Sequence, residues 1–197
     1  MQPPDRIAQT VFFAVAAAWV AFVLLFWFFK QPTRGANRRR DPVSTLGLLL
    51  QSICYFMVWL FPRKYFSPLI PMSKAAEIAI GAAAVAIAWW SVWFCLQAIR
   101  ALGKQWALVA QVMEGHELVA HGPYAVVRNP IYLAMFGMAI ATGLAVSRWE
   151  ALAGGAVLFL IGTEIRIRAE ERLLRGAFGE KFEEYARRVP GFFPRFS

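Results

Sequence analysis

The chain has 197 residues, 59% of them hydrophobic, and a formal net charge of +9. A soluble domain of this size has no core large enough for so much apolar sequence, and several runs exceed the roughly 18 apolar residues that mark a membrane-spanning helix. The runs are continuous, which excludes the short alternating strands of a β-barrel. Two cysteines are too few for a disulfide framework or a zinc-binding spacing, and the basic balance reads as cytoplasmic loops facing anionic headgroups rather than as a nucleic-acid surface.

The expected fold is therefore all-α, a polytopic integral membrane protein with about five transmembrane helices. The first span is Ile7–Phe29, too long for the apolar core of a signal peptide and ending in Trp-Phe-Phe-Lys rather than at a small-residue cleavage site. The second is Val43–Phe61, stopped by Pro62, and the third is the alanine-rich Ala75–Leu96. Cys54 and Cys95 fall inside these two spans, where a free cysteine behaves as a small apolar packing residue. The fourth and fifth spans are Ile131–Val146 and Ala151–Ile167, and the four residues between them allow only a tight antiparallel hairpin. The fourth is short, so it is expected to tilt little or to be sheltered by protein.

Charge predicts the orientation. Lys30–Ser44 carries five Lys/Arg, Gln97–Pro130 three, and the segment from Arg166 to the C-terminus eight, against five in all the remaining connections. The positive-inside rule then puts the N-terminus outside and the C-terminus in the cytoplasm. Beyond the fifth span, Glu170–Arg188 is charged but keeps Leu173, Leu174, Ala177, Phe178, Phe182 and Tyr185, the pattern of an amphipathic cytoplasmic helix lying on or beneath the membrane. Gly179 is expected to interrupt or bend it, and Pro190 and Pro194 to end regular structure.

Polar chemistry is concentrated in the last 80-odd residues, where it is pressed against membrane-spanning sequence. His121-Gly-Pro-Tyr124 reads as a tight turn, and Arg128-Asn-Pro130 opens the fourth span with proline in the first helical turn. A structured loop entering a helix explains these residues as well as a ligand site would. Arg166 and Glu170 are four apart, so they share one helix face where the fifth span leaves the hydrocarbon. That spacing suits an ordinary interfacial ion pair with snorkelling side chains. It equally suits a carboxylate for a cationic ligand group beside an arginine for an anionic one. Glu164 lies deeper, where ionisable groups usually face a cavity or the bundle interior. His116 and His121, the only histidines, have no Cys or Asp beside them, so no metal site is expected.

These residues, taken in order, resemble the isoprenylcysteine carboxyl methyltransferase family and the related phospholipid N-methyltransferases. The resemblance rests on His116-Glu-Leu-Val119, Gly122-Pro-Tyr124, Arg128-Asn-Pro-Ile-Tyr132, Arg166, Glu170-Glu171, Phe178-Gly179 and Tyr185-Ala-Arg-Arg-Val-Pro190, and it spans a little under half the chain. It implies an integral membrane enzyme that uses S-adenosylmethionine. His116, Leu118 and Val119 match the family's loop lining the cofactor site, Tyr124 its turn tyrosine, and Asn129, Pro130, Ile131 and Tyr132 its Arg-His-Pro-x-Tyr element. Glu170 matches a cofactor-binding glutamate, and Gln111 stands near a cofactor-binding glutamine, though at a different loop spacing. Arg166 matches the arginine that meets the substrate, the catalytic position. The chain departs from the family in Asn129, where the eukaryotic carboxyl methyltransferases carry histidine, and in Ala134, where relatives often carry glycine.

The resemblance divides one membrane domain, residues 1–197, into three N-terminal spans with their loops (1–110) and a cofactor-binding region (111–197). The implied activity is methyl transfer to a lipophilic acceptor entering from the bilayer, most closely the carboxylate of an isoprenylcysteine-like molecule. A phospholipid amine or a small thiol is the alternative acceptor, and an amine would need a proton acceptor, for which Glu171 and Glu164 are the candidates. A steroid-reductase-like NADPH enzyme would need additional basic contacts for the extra phosphate, and a non-enzymatic membrane protein would leave the ordered motif set unexplained.

Overall fold

The computed structural model describes residues 6–29, 42–63, 73–103 and 118–194. They form six α-helices: α1 (Arg6–Phe28), α2 (Pro42–Leu60), α3 (Lys74–Leu102), α4 (Pro130–Val146), α5 (Trp149–Phe178) and α6 (Glu180–Arg188), with a short 3-10 turn at Gly122–Ala125. The only β pairing among the described residues is an isolated bridge between Pro62 and Ser147. Three helices, α1 to α3, are long and apolar enough to cross a membrane. Their outer faces expose large apolar side chains, among them Phe13, Leu24, Leu49, Phe56, Ile78 and Trp93. Such faces match lipid rather than water, and the chain is an integral membrane protein.

The expected spans coincide with helices, with two informative differences. α3 runs beyond the expected Leu96 to Leu102, and Gly103 with φ of 52° stops it. α5 does not end at Ile167 but continues unbroken to Phe178. Thirty residues make a rod of about 45 Å, longer than the ~30 Å hydrocarbon core, so the charged half from Glu170 extends the fifth apolar run. The separate amphipathic helix is therefore shorter than expected. Only α6 is distinct, and the break falls at Gly179, whose φ of 53° is a conformation that L side chains rarely adopt.

α4 is the centre of the bundle. It packs on α1, α2, α3 and α5, while α2 pairs most extensively with α5 and α1 lies against α3. Ten of its 17 residues are buried, against four of 23 in α1, so its surroundings are mostly protein. That explains how so short a helix sits among longer ones. Phe22, Cys95, Ile99, Leu133 and Met138 fill the space between α1, α3 and α4. Cys54, Val58, Ala139 and Phe159 fill that between α2, α4 and α5. Two polar side chains within the bundle are paired: Trp19 Nε1 donates to Thr142 Oγ1 at 2.8 Å, and Tyr55 Oη to the Met135 carbonyl at 2.8 Å.

One end of the bundle is sealed by Arg63. Its guanidinium donates to the carbonyls of Leu144, Ala145 and Ser147, which ties the end of α2 to the last turn of α4. These are the carbonyls that a helix C-terminus leaves without intrahelical partners. The chemistry described next lies at the opposite end, where α3 and α5 finish and α2 and α4 begin.

Candidate active site

Pro130 starts α4 and is buried there. It delivers Tyr132, the third residue of the helix, into the bundle within the first turn, facing the emerging part of α5. The Tyr132 hydroxyl donates to Glu170 Oε1. The Arg166 guanidinium lies over the Tyr132 ring, 4.8 Å from its centroid. Its Nη2 is 3.8 Å from Glu170 Oε1, and its Nη1 donates to Gln51 Oε1 on α2 at 3.0 Å. Gln51 Nε2 in turn donates to Thr163 Oγ1 at 2.8 Å. Tyr132, Glu170 and Arg166 thus form one cluster.

Two features of this cluster point to a ligand. Arg166 is 91% removed from solvent (9% exposed), yet its Nε has no hydrogen-bond partner among the described residues. A buried donor left unmade costs about 1–3 kcal/mol, so it persists where something else completes it. Burial also raises the Glu170 carboxyl above its ordinary value, against the opposing Tyr132 hydrogen bond and Arg166 charge, with Glu171 adding to the rise. The carboxylate is thus held at a cost that a cationic partner would relieve.

A second network adjoins the cluster through Glu171, the chain neighbour of Glu170. Arg128 donates from Nε and Nη2 to Glu171 Oε1, at 2.9 and 2.6 Å. Its Nη1 reaches the carbonyls of Ala186, at 3.0 Å, and Val189. Arg175 holds the other Glu171 oxygen at 3.2 Å and reaches Glu183 at 2.7 Å. Asn129 Nδ2 donates to the Gly191 carbonyl at 2.8 Å, and Tyr185 Oη to the Tyr124 carbonyl at 2.7 Å. The turn before α4, the end of α5 and the tail after α6 are therefore one clasped unit. Burial pushes the Tyr185 phenol to about 12 and holds that of Tyr124 well above its ordinary value, so both remain protonated.

The sequence-expected residues fall into distinct places. Tyr132, Glu170 and Arg166 are joined, and the buried Tyr124 lies at the same end, where the Glu170 charge acts on it. Leu118 and Val119 are half-buried where the described segment begins. Ile131 is half-buried and packs on the apolar core. The Asn129 amide is committed to the tail. Gln111 and His116 lie outside the described residues. The two carboxylates considered as proton acceptors are otherwise engaged. Glu164 is exposed and pairs with Arg168 at 2.7 Å, so it faces away from the interior expected of it, and Glu171 belongs to the clasp. Gln51 and Thr163 escaped the sequence reading. The signal for Gln51 was a lone amide inside an apolar span, where polar side chains seldom lie without a function.

Comparison with known proteins places this end of the chain. The phospholipid methyltransferase family model matches residues 77–181, from the start of α3 to the start of α6. The chain is 40% identical over 105 residues to the cobalt-zinc-cadmium resistance protein CzcN of Cupriavidus metallidurans, covering 50% of this chain and 46% of that protein. It is 37% identical over 97 residues to the nickel-cobalt-cadmium resistance protein NccN of Alcaligenes xylosoxydans xylosoxydans, covering 49% and 45%. It is 35% identical over 80 residues to the protein-S-isoprenylcysteine O-methyltransferase of Schizosaccharomyces pombe, covering 40% and 34%. The chain thus matches about half, or less, of the length of these relatives. The family match takes in more than half of the chain, including Arg128, Tyr132, Arg166 and Glu170, and on that ground the chain belongs to the phospholipid methyltransferase family, with an isoprenylcysteine O-methyltransferase among its relatives.

Proposed function

We propose that this protein is an S-adenosylmethionine-dependent integral membrane methyltransferase acting on a lipophilic anionic acceptor, most closely the carboxylate of an isoprenylcysteine-like molecule. The observation that carries the reading is the buried Arg166 guanidinium, anchored at Nη1 and with Nε unpartnered, beside a carboxylate held by Tyr132.

The donor set fits the cofactor. Glu170 would hold its cationic end, with Tyr132 orienting that carboxylate, and Tyr124, Asn129, Pro130 and Ile131 would form the adjoining wall. Leu118, Val119, His116 and Gln111 would extend the site along the preceding loop. S-adenosylmethionine supplies, when bound, a methyl group on a sulfonium sulfur. The protein's own contribution is then alignment and exclusion of water. Arg166 would hold an anionic acceptor by charge-assisted hydrogen bonds from Nε and Nη2. A carboxylate arrives already ionised and needs no general base. An amine acceptor does need one, and Glu164 and Glu171 are both engaged in ion pairs away from the cluster. That favours the anionic acceptor, whereas the family description favours a phospholipid amine as the second reading.

In this reading α4 and the first part of α5 complete five spans. The N-terminus is outside, and the site end, which carries most of the Lys/Arg by chain order, is cytoplasmic. Residues 1–110 shield the acceptor path, and residues 111–197 bind the cofactor. The test is labelled-methyl transfer by purified protein over N-acetyl-S-farnesylcysteine, phosphatidylethanolamine and a small thiol, with binding of S-adenosylhomocysteine measured against NADPH. The expected result is S-adenosylhomocysteine binding and labelling of the prenylcysteine. Labelling of the phospholipid alone would move the acceptor to the amine class, and NADPH binding alone would remove the methyltransferase reading.

A further inference from the structure

We infer that Gln51, on α2 and outside the residues the family model matches, is the positioning residue for Arg166 and so sets the acceptor side of the site. The inference rests on the proposed contact between Arg166 and the acceptor.

The argument begins with the approach of α2 to α5. A Cβ at Gly47 would fall 2.5 Å from Arg166 Cγ and 2.5 Å from the Gly162 carbonyl, and one at Gly162 would fall 2.6 Å from the Gly47 carbonyl. The two glycines therefore let the helices touch through their backbones, and Gly47 leaves the slot that takes the aliphatic stem of Arg166. Gln51 is one helical turn beyond Gly47 on the same face. It is 1% exposed, and its oxygen meets the head of the same arginine. The stem and the head of Arg166 are thus fixed by two residues of α2.

The direction of the amide is not arbitrary. Arginine has donors only, so the Gln51 oxygen must face it and the amide nitrogen must face away. That nitrogen finds Thr163 Oγ1, itself 1% exposed. Thr163 therefore holds the amide that Arg166 has oriented, and the amide in turn holds the guanidinium. Ring contact with Tyr132 restrains the guanidinium plane further. Nε is left without a hydrogen-bond partner among the described residues, aimed by this arrangement rather than by the flexibility of the side chain. The structural alternative is that Gln51 merely satisfies a buried cation. That role would show in stability and not in acceptor kinetics.

The experiment compares Gln51→Met, Gln51→Glu, Thr163→Val, Arg166→Ala and the Gln51→Met/Arg166→Ala double variant in the full-length protein. Three quantities are measured: methyl transfer to N-acetyl-S-farnesylcysteine, S-adenosylhomocysteine affinity by calorimetry, and 15N relaxation of the Arg166 Nε–H group. Gln51→Met is expected to lower kcat/KM for the acceptor by about tenfold to a hundredfold, the scale of a 1 Å misplacement. Cofactor affinity should stay within about twofold, since the cofactor-side contacts are retained. Gln51→Glu, which keeps an acceptor atom for Nη1, should recover most of the activity. The double variant should be no worse than Arg166→Ala alone, and the Nε–H group should become mobile in Gln51→Met. Wild-type kinetics with a rigid Nε–H in Gln51→Met overturns the inference. Wild-type turnover in Arg166→Ala overturns the acceptor reading and the inference with it. A wild-type protein inactive on the prenylcysteine overturns only the acceptor class, because the relaxation measurement still decides whether Gln51 holds Arg166. If Gln51→Met does not fold, Thr163→Val decides: a mobile Nε–H with reduced turnover supports the inference, and an unchanged one overturns it.

Discussion

At the scale of single residues, Glu170 and Arg166 are neighbours to which the proposed function gives opposite tasks. Glu170→Ala removes one charge-assisted contact, so S-adenosylhomocysteine affinity should fall by about ten- to a hundredfold, equivalent to roughly 1.5–3 kcal/mol, with the fold retained. Calorimetry beside circular dichroism checks both halves. The raised Glu170 carboxyl gives a pH dependence of definite sign. Binding a cation requires the ionised form, so affinity should be full above the Glu170 pKa and weaken as pH falls through it. The loss should begin at a higher pH than for an ordinary carboxylate, and Glu170→Gln should flatten the profile. Arg166→Ala should lower methyl transfer far more than cofactor affinity. Arg166→Lys should rescue poorly, because an ammonium cannot replace a planar guanidinium that is anchored at Nη1, lies over the Tyr132 ring and leaves Nε for the acceptor. Good rescue by lysine would point to a simple counter-charge.

The elements explain why a polar site survives at the edge of an apolar bundle. The Arg128 clasp joins three segments that are distant in sequence, and both of its charges are largely buried, at 14% and 9% exposure. Removing Arg128 leaves Glu171 with Arg175 as its ion-pair partner among the described residues and strips the Ala186 and Val189 carbonyls of a donor, so Arg128→Ala should cost about 1–3 kcal/mol. It should also release α6, making tryptic cleavage after Arg187 or Arg188 faster in limited proteolysis. Arg128→Lys should not restore protection, since a compact ammonium does not reproduce the planar fork that reaches the Glu171 carboxylate from one side and the Ala186 and Val189 carbonyls from the other. Resistance to trypsin equal to wild type in Arg128→Ala would show that α6 is held by its apolar residues Phe182 and Tyr185 instead.

For the whole molecule, the N-terminal half contributes Gln51 to the cluster around Arg166. Gly162→Ala would drive a methyl group to 2.6 Å from the Gly47 carbonyl and 2.9 Å from Leu50 Cβ, and the first of these is backbone. The helices must then separate. A loss of about 1–3 kcal/mol in detergent is expected from overpacking, together with reduced turnover because the Gln51 contact stretches. A thermal shift and the transfer assay on the same sample test this. Unchanged values for both would mean that α2 is free to slide against α5.

Much of this was legible in the sequence, and the rest was not, for reasons visible at particular residues. Long apolar runs must pair their backbone groups internally in lipid, so the helices over Ile7–Phe29, Val43–Phe61 and Ala75–Leu96 follow from composition alone. Helical spacing by itself put Arg166 and Glu170 on one face, and the order of short motifs pointed to the family. Side-chain partners across helices are a different matter, because local spacing carries no information about which face meets which neighbour. Glu164, deep by position, turns outward to Arg168, and Glu171, a candidate base by chemistry, is taken by Arg128. The continuation of α5 to Phe178 was hidden because charged residues end an apolar run without ending a helix. The place of Gln51 depended on two glycines, 115 residues apart, that bring α2 and α5 into backbone contact. Periodicity and composition thus determined which segments are helices. Only the packing of those helices decided which polar atoms meet, because that depends on close approach between residues far apart in the chain.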